Sequence, residues 1–336
     1  MGEHEEEPEH EDEPEPEPEN GHGHGHGHGH GHGHGHGSEP ENGHGPEHGG
    51  EDAALPPSGG LLDGLRGLLS PPHFEPRVPA AAGLLFGPRH RGIAPLADVY
   101  LPDGPGPHPS VVLVHGGGFM IGSRSMKPMR FLATRLAEAG FAAMTFDYRM
   151  MFRGGRLGES VTDVGTALHW WREQVARFEL DPARVTLMGL SAGASLTMLT
   201  AAQLPAAALD RVVGVFGVYD FSALQGRRAG LMRRWLFQSD DPETWRQRSP
   251  LAVTDKVPHR VLLIHGTGDV MVPVEHSRRL AARRRALGLP VEDVYVPGAP
   301  HGFFNTARHQ AAADEAVAAT LRFLGGARDQ RVNERG

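Results

Sequence analysis

The chain has 336 residues, with 41 Asp and Glu against 33 Lys and Arg, a formal charge of −8, and no cysteine. The missing thiols exclude disulfides, thiolate catalysis and cysteine-ligated zinc, and no run approaches the roughly 18 uninterrupted apolar residues of a membrane span. Sixteen of the acids fall within residues 1–52, which hold no Lys or Arg, so an acidic segment precedes a body with 25 acids to 33 bases, net +8.

Glu alternates with Pro from Met1 to Asn20, and Gly alternates with His from Gly21 to Gly37. Neither pattern buries enough apolar surface to offset chain entropy, so residues 1–56 are expected to be a disordered tail. Its eight alternating histidines are His22, His24, His26, His28, His30, His32, His34 and His36. Imidazoles on so mobile a backbone are candidate ligands for Ni, Zn or Cu, bound more weakly as they protonate. A solubilising repeat with incidental metal affinity is the equal alternative, and a third is an acidic tail resting on the basic body. The start "MGEHEEEPEH" is acidic where a secretory signal is basic and then apolar, so a cytoplasmic protein is expected. Arginines in "RGGR", "GRR", "MRRW" and "ARRR" are scattered without an aromatic platform, which speaks against nucleic acid.

The segment 55–72 sets leucines between proline pairs and reads as a short helix packing on the body. From residue 57 to 330 the pattern is that of one large α/β domain. Strands are predicted at 97–102, 111–114, 141–149, 184–190, 212–220, 260–269 and 291–298. "MRFLATRLAEAG" reads as a helix stopped by Gly140. Ser160 and Asp163 have capping-box spacing before a stripe of Val161, Val164, Leu168, Trp171, Val175 and Phe178, and Asp181-Pro182 ends that helix. Another helix is expected from about Ala194. Strands alternating with helices imply a mostly parallel sheet flanked by helices on both faces, with the chemistry on loops at the carboxyl ends of the strands.

Gly189-Leu190-Ser191-Ala192-Gly193 fits G-x-S-x-G between a predicted strand and a predicted helix. The serine needs glycines two residues away on either side so that a sharp turn can lift its hydroxyl clear of the backbone. A serine hydroxyl also needs a base, and the base an orienting carboxylate. His301, in a loop after the last predicted strand, is the candidate base. His265 reads as a hydrogen-bonded structural histidine on a strand, and His276 and His309 as solvated helical residues. Asp269 is the preferred acid from its loop position and the chain order Ser, Asp, His; Asp220 is the rival. "HGGGF" follows a buried strand, and Gly117 and Gly118, with the amide of Ala192, are candidate donors to an oxyanion. The blander readings of that loop are a glycine-rich turn or a phosphate loop, and the latter lacks the Lys-Ser or Lys-Thr of a Walker motif.

Taken in order, "HGGGF", "DYR", "GLSAG", "HGTGDVMVP" and "PHGF" resemble the α/β-hydrolase superfamily, and within it the hormone-sensitive-lipase-like carboxylesterase branch. The resemblance spans about residues 95 to 325. It implies the α/β-hydrolase fold, a Ser191–His301–Asp269 triad, an oxyanion hole from Gly117, Gly118 and Ala192, a small-molecule ester as substrate, and no cofactor for catalysis. Leu190, Ala194 and "MMFRGG" depart from that branch and widen the implied relatives to feruloyl or acetyl-sugar esterases and arylformamidases. A peptidase of the same fold is disfavoured because no propeller-sized domain fits in the chain. A metal-binding or metal-storage protein with the hydrolase domain as scaffold is the rival from another class. Residues 221–256 form an expected lid insertion, in which Leu231, Met232, Trp235 and Phe237 line an acyl pocket or pack on the body, and Arg227, Arg228, Arg233 and Arg234 face water. Neither a membrane nor a nucleic-acid partner is expected, and the oligomeric state is open.

Overall fold

The computed structural model describes Gly67 and residues 70–90, 93–224 and 226–325; of residues 226–229, 231 and 232 it describes the backbone alone. The tail expected at 1–56, with its histidine run, lies outside the described residues. Eight strands follow one another as β1 (Ala81–Leu85), β2 (Leu96–Tyr100), β3 (His108–Val114), β4 (Ala142–Phe146), β5 (Leu180–Leu190), β6 (Arg211–Val215), β7 (Arg260–Gly266) and β8 (Val291–Val296). The helices among them are α1 (Lys127–Glu138), α2 (Leu157–Glu173), α3 (Val175–Phe178), α4 (Ala192–Ala201), α5 (Gly226–Phe237), α6 (Pro242–Gln247), α7 (Glu275–Ala286) and α8 (Gln310–Leu324).

The strands form one sheet in the order β1-β2-β4-β3-β5-β6-β7-β8. β2 runs antiparallel to both β1 and β4, and the pairings from β4 through β8 are parallel. Side chains alternate across it, as the pleat requires. Val112, Val114, Leu187, Val212 and Leu263 face one core with Val161, Leu168 and Trp171 of α2 and Leu196 of α4. Val111, Leu113, Met188, Val213 and Ile264 face the other with Phe131 and Leu136 of α1 and Val317 and Phe323 of α8. Covering both faces is what lets β3 read as a continuous apolar run rather than an alternating one.

Three expectations are corrected. β1 was not anticipated: it is short, lies at the sheet edge, and carries Gly83 at φ 66 where its pairing with β2 becomes irregular. The start of α2 is closed by Glu159, whose Oε2 accepts from Arg156 N at 3.1 Å, and not by a box of Ser160 and Asp163. Ser160 lies inside the helix and donates to Arg149 O at 2.7 Å, while Asp163 takes the Arg149 guanidinium at 2.7 Å. His276 is buried instead of solvated, and its Nδ1 accepts from Tyr219 N at 3.3 Å and Asp220 N at 3.2 Å. Of the 55–72 segment, Gly67 and 70–72 are described: Lys127 Nζ donates to Gly67 O, to Ser70 Oγ at 2.8 Å and to Asn305 O at 3.1 Å.

Burial lowers the pKa of His276 to about 4. The folded protein therefore binds this proton less readily than the unfolded chain, whose histidine titrates near 6.5, and stability falls as pH drops from about 6.5 to 4. His276→Asn keeps an acceptor for the two amides but cannot titrate. Urea unfolding of this variant should show a shallower loss of stability over that interval, by about 1–3 kcal/mol at pH 4; an unchanged slope would remove His276 from the account.

Candidate active site

Ser191, Asp269, His301 and the glycine loop follow the carboxyl ends of the parallel strands β5, β7, β8 and β3, the end of such a sheet at which chemistry gathers. Ser191 joins β5 to α4 at φ 52, ψ −118, a conformation that non-glycine residues rarely adopt. The turn is tight enough that a Cβ on Gly189 would stand 2.3 Å from Gly193 O, and one on Gly193 would stand 2.2 Å from Val114 O. Ser191 N donates to Val215 O at 2.9 Å, which fixes the turn against β6.

The structure brings Ser191, His301 and Asp269 together from the ends of β5, β8 and β7. Ser191 Oγ lies 3.0 Å from His301 Nε2, and His301 Nδ1 lies 2.6 Å from Asp269 Oδ2. A carboxylate can only accept, so Nδ1 carries the proton and Nε2 is left to accept from the serine hydroxyl. Asp269 Oδ1 takes the amides of Met271 at 2.9 Å and Val272 at 2.8 Å. Burial alone would raise the Asp269 pKa, but hydrogen bonds from His265 and His301, with the His301 charge and the Val272 amide, outweigh it and hold the carboxyl at about 2. The Phe216 ring, on a backbone at φ 39, lies 4.8 Å from the His301 imidazole. Asp220, the rival acid, is engaged elsewhere: Oδ1 accepts from Ser222 N at 3.0 Å and Oδ2 faces Arg279 at 2.9 Å.

The glycine loop after β3 runs beside this serine, since a Cβ on Gly116 would meet Ser191 Cβ at 3.2 Å. Gly117 and Gly118 have φ 118 and 62, and a Cβ on Gly117 would stand 1.7 Å from Ile121 O. Among the described residues no backbone carbonyl accepts from the amide of Gly117 or Gly118. Ala192 is the first residue of α4, so its amide has no acceptor within the helix. The buried His115 anchors the loop: Nδ1 donates to Gly116 O at 2.8 Å, and Tyr148 donates to His115 O at 2.9 Å while stacking on its ring. Burial lowers the His115 pKa to about 4, so the anchor is uncharged near neutral pH.

Residues 221–256 contain α5 and α6. Trp235 is 57% exposed, and Phe237 is buried with its ring 5.2 Å from Phe221. Arg233 does not face water: it lies over the Trp245 ring at 4.0 Å and donates to Leu224 O, whereas Arg234 is exposed. The side chains of Arg227, Arg228, Leu231 and Met232 lie outside the described set. An open groove of about 870 Å³ is lined by Met151, Arg156, Glu159, Trp235 and Asp240 among others, and by none of Ser191, Asp269 or His301. His265, expected to be structural, touches Asp269 itself, with Nε2 3.2 Å from Oδ2. That contact went unnoticed in the sequence, although a spacing of four residues across a turn pointed to it.

The histidines from His22 to His36 lie outside the described residues. Within the described set no group of three or more His, Asp or Glu is placed to hold a metal ion, and no helix is long and apolar enough to cross a membrane.

Comparison with known proteins shows the family and the fold. The BD-FAE family model matches residues 97–283. Esterase LipC of Mycobacterium tuberculosis is 30% identical over 279 residues, covering 71% of this chain and 68% of that protein. Esterase LipQ of the same organism is 28% identical, and the match spans 70% of this chain and 61% of LipQ. Among solved structures, the propionate-bound esterase Est2 of Thermogutta terrifontis superposes with a TM-score of 0.59 at 24% identity, over 73% of this chain and 93% of that one.

Proposed function

We propose that this chain, which belongs to the BD-FAE family and is a carboxylesterase-type α/β hydrolase, cleaves small carboxylic esters through an acyl-enzyme intermediate on Ser191. The observation that carries this reading is the unbroken hydrogen-bonded line from Ser191 Oγ through His301 to Asp269, at 3.0 and 2.6 Å. Ser191 Oγ attacks the acyl carbon and passes its proton to His301 Nε2. Asp269, held ionised, stabilises the imidazolium that forms and keeps the ring oriented. The amides of Gly117, Gly118 and Ala192 are the proposed donors to the tetrahedral oxyanion, each worth about 3–4 kcal/mol in the transition state. As the intermediate collapses, the ester C–O bond breaks and the leaving alcohol takes the proton from Nε2. Water then attacks the acyl carbon, His301 accepts its proton and returns it to Ser191 Oγ, and the carboxylic acid leaves. Residues 221–256 are the proposed lid over this site.

A fluorophosphonate reagent tests the reading directly. It should form one covalent adduct, located by peptide mass spectrometry on Ser191, with parallel loss of p-nitrophenyl acetate turnover. No step above uses a metal, so a chelator should leave the initial rate unchanged. An adduct elsewhere, or a rate that the chelator abolishes, would sink the proposal.

A further inference from the structure

His265 is the next-to-last residue of β7, and a turn closed by Asp269 N donating to Gly266 O at 3.3 Å folds Asp269 back onto it. The imidazole is fully buried. Its Nε2 lies 2.9 Å from Val272 O and 3.2 Å from Asp269 Oδ2, both acceptors, so the proton sits on Nε2. Nδ1 is left to accept from Ser277 Oγ of α7 at 2.7 Å. A histidine serving packing alone would be satisfied by Ser277 and Val272 O. The third contact is to the same carboxylate oxygen that His301 Nδ1 occupies.

We propose that His265 is a positioning residue for ester hydrolysis: it holds Asp269 Oδ2 in line with His301 Nδ1, and Ser277 keeps His265 in the tautomer able to do so. This rests on the assignment of Ser191, His301 and Asp269 above and deepens it. Two backbone amides fix Oδ1, but without His265 only the moving part of the machine, His301, would hold Oδ2. Loss of the Nε2 donor leaves the buried carboxylate less well stabilised, so while ionised it pulls harder on the His301 imidazolium. That moves the acid limb of kcat/KM upward. The other titratable group facing the pair is His276 on α7, which senses both Asp269 and His265, is itself kept neutral by burial, and is faced by Asp220 and Arg279.

The test uses the full-length chain, p-nitrophenyl acetate, and the variants H265L, H265Q, S277A and S191A. H265L should lose about 10- to 100-fold in kcat with KM within about twofold, and its acid limb should move up by about 0.5–1 pH unit. H265Q, whose amide N–H reaches the place of Nε2, should recover most of kcat and the native limb. S277A should fall about threefold in kcat with the limb raised in the same direction. Native kcat and a native acid limb in H265L would overturn the proposal, as would a loss that H265Q does not repair. Should H265L fail to fold, S277A decides: a lower kcat with a raised limb supports the proposal, and native values overturn it. S191A separates the two layers. Turnover by S191A at the native rate defeats the assignment of the nucleophile, whereas an inactive S191A beside a fully active H265L defeats the role of His265 alone.

Discussion

Asp269→Asn should lower kcat by about 10⁴-fold while leaving KM within a few-fold of native and the fold intact. The carboxamide is nearly the same shape as the carboxylate, and its oxygen can still accept the Met271 and Val272 amides that hold Oδ1 at 2.9 and 2.8 Å. Its NH₂ group then faces His301 Nδ1, where Oδ2 now accepts at 2.6 Å. Two donors cannot share that contact, so the imidazole moves its proton to Nε2 and loses the lone pair that accepts from Ser191 Oγ at 3.0 Å. The nucleophile survives without its base, and substrate binding, which Asp269 does not touch, is spared. Since the folded pKa of Asp269 is lowered to about 2 from 3.8, its stabilising contribution is complete above pH 4 or so and is lost only as pH falls through 2. Initial rates from pH 5 to 9, with circular dichroism to confirm folding, decide the matter. A variant within tenfold of native kcat would remove Asp269 from the triad.

The parts of the site that were legible in the sequence are those where covalent geometry demands a residue type at a fixed offset. Gly189 and Gly193 flank Ser191 because any side chain there meets backbone, and Gly117 and Gly118 take positive φ in a loop that closes on Ile121. The sheet was legible because two covered faces force long apolar strands. What stayed hidden depends on contacts distant in sequence. "EHSRRLAARRRA" reads as a solvent-facing helix, yet α7 buries His276, Ser277 and Arg284. Arg284 is fully buried with no carboxylate partner among the described residues; the carbonyls of Val257 at 3.0 Å, His259 at 2.8 Å and Pro290 at 3.1 Å gather around its guanidinium. The same helix supplies Ser277 to His265, so the support beneath Asp269 was as invisible as the burial that creates it. β1 and the start of α2 were missed for a local reason: an edge glycine and an arginine at the N-cap position carry weak signals.

Gly193→Ala should cost about 3 kcal/mol of stability or more and lower kcat by about 10³-fold, although alanine is the better helix former. Gly193 lies in the first turn of α4, where the added methyl group would stand 2.2 Å from Val114 O and 2.5 Å from His115 O. Those carbonyls belong to the end of β3 and the start of the glycine loop, which are backbone and cannot rotate aside as a side chain would. Relief requires α4 to move away from β3, and Ser191, one residue before the helix, must move with it. His301 is held separately by Asp269 and by Phe216, so the Oγ–Nε2 contact of 3.0 Å opens. Displacements near 1 Å in a reacting pair cost on the order of 10²-fold before any effect on the oxyanion donors. Here the Ala192 amide, on the same turn, is carried off as well. Gly165→Ala is the control, because that glycine is inside α2 and its Cβ would meet nothing within 4 Å. It should raise stability by about 0.5–1 kcal/mol and leave kcat unchanged. Thermal melts and p-nitrophenyl acetate rates on both variants give the comparison. If Gly193→Ala melted and turned over like the native protein, the close approach of β3 to the elbow would be wrong, and with it the steric reason for G-x-S-x-G in this chain.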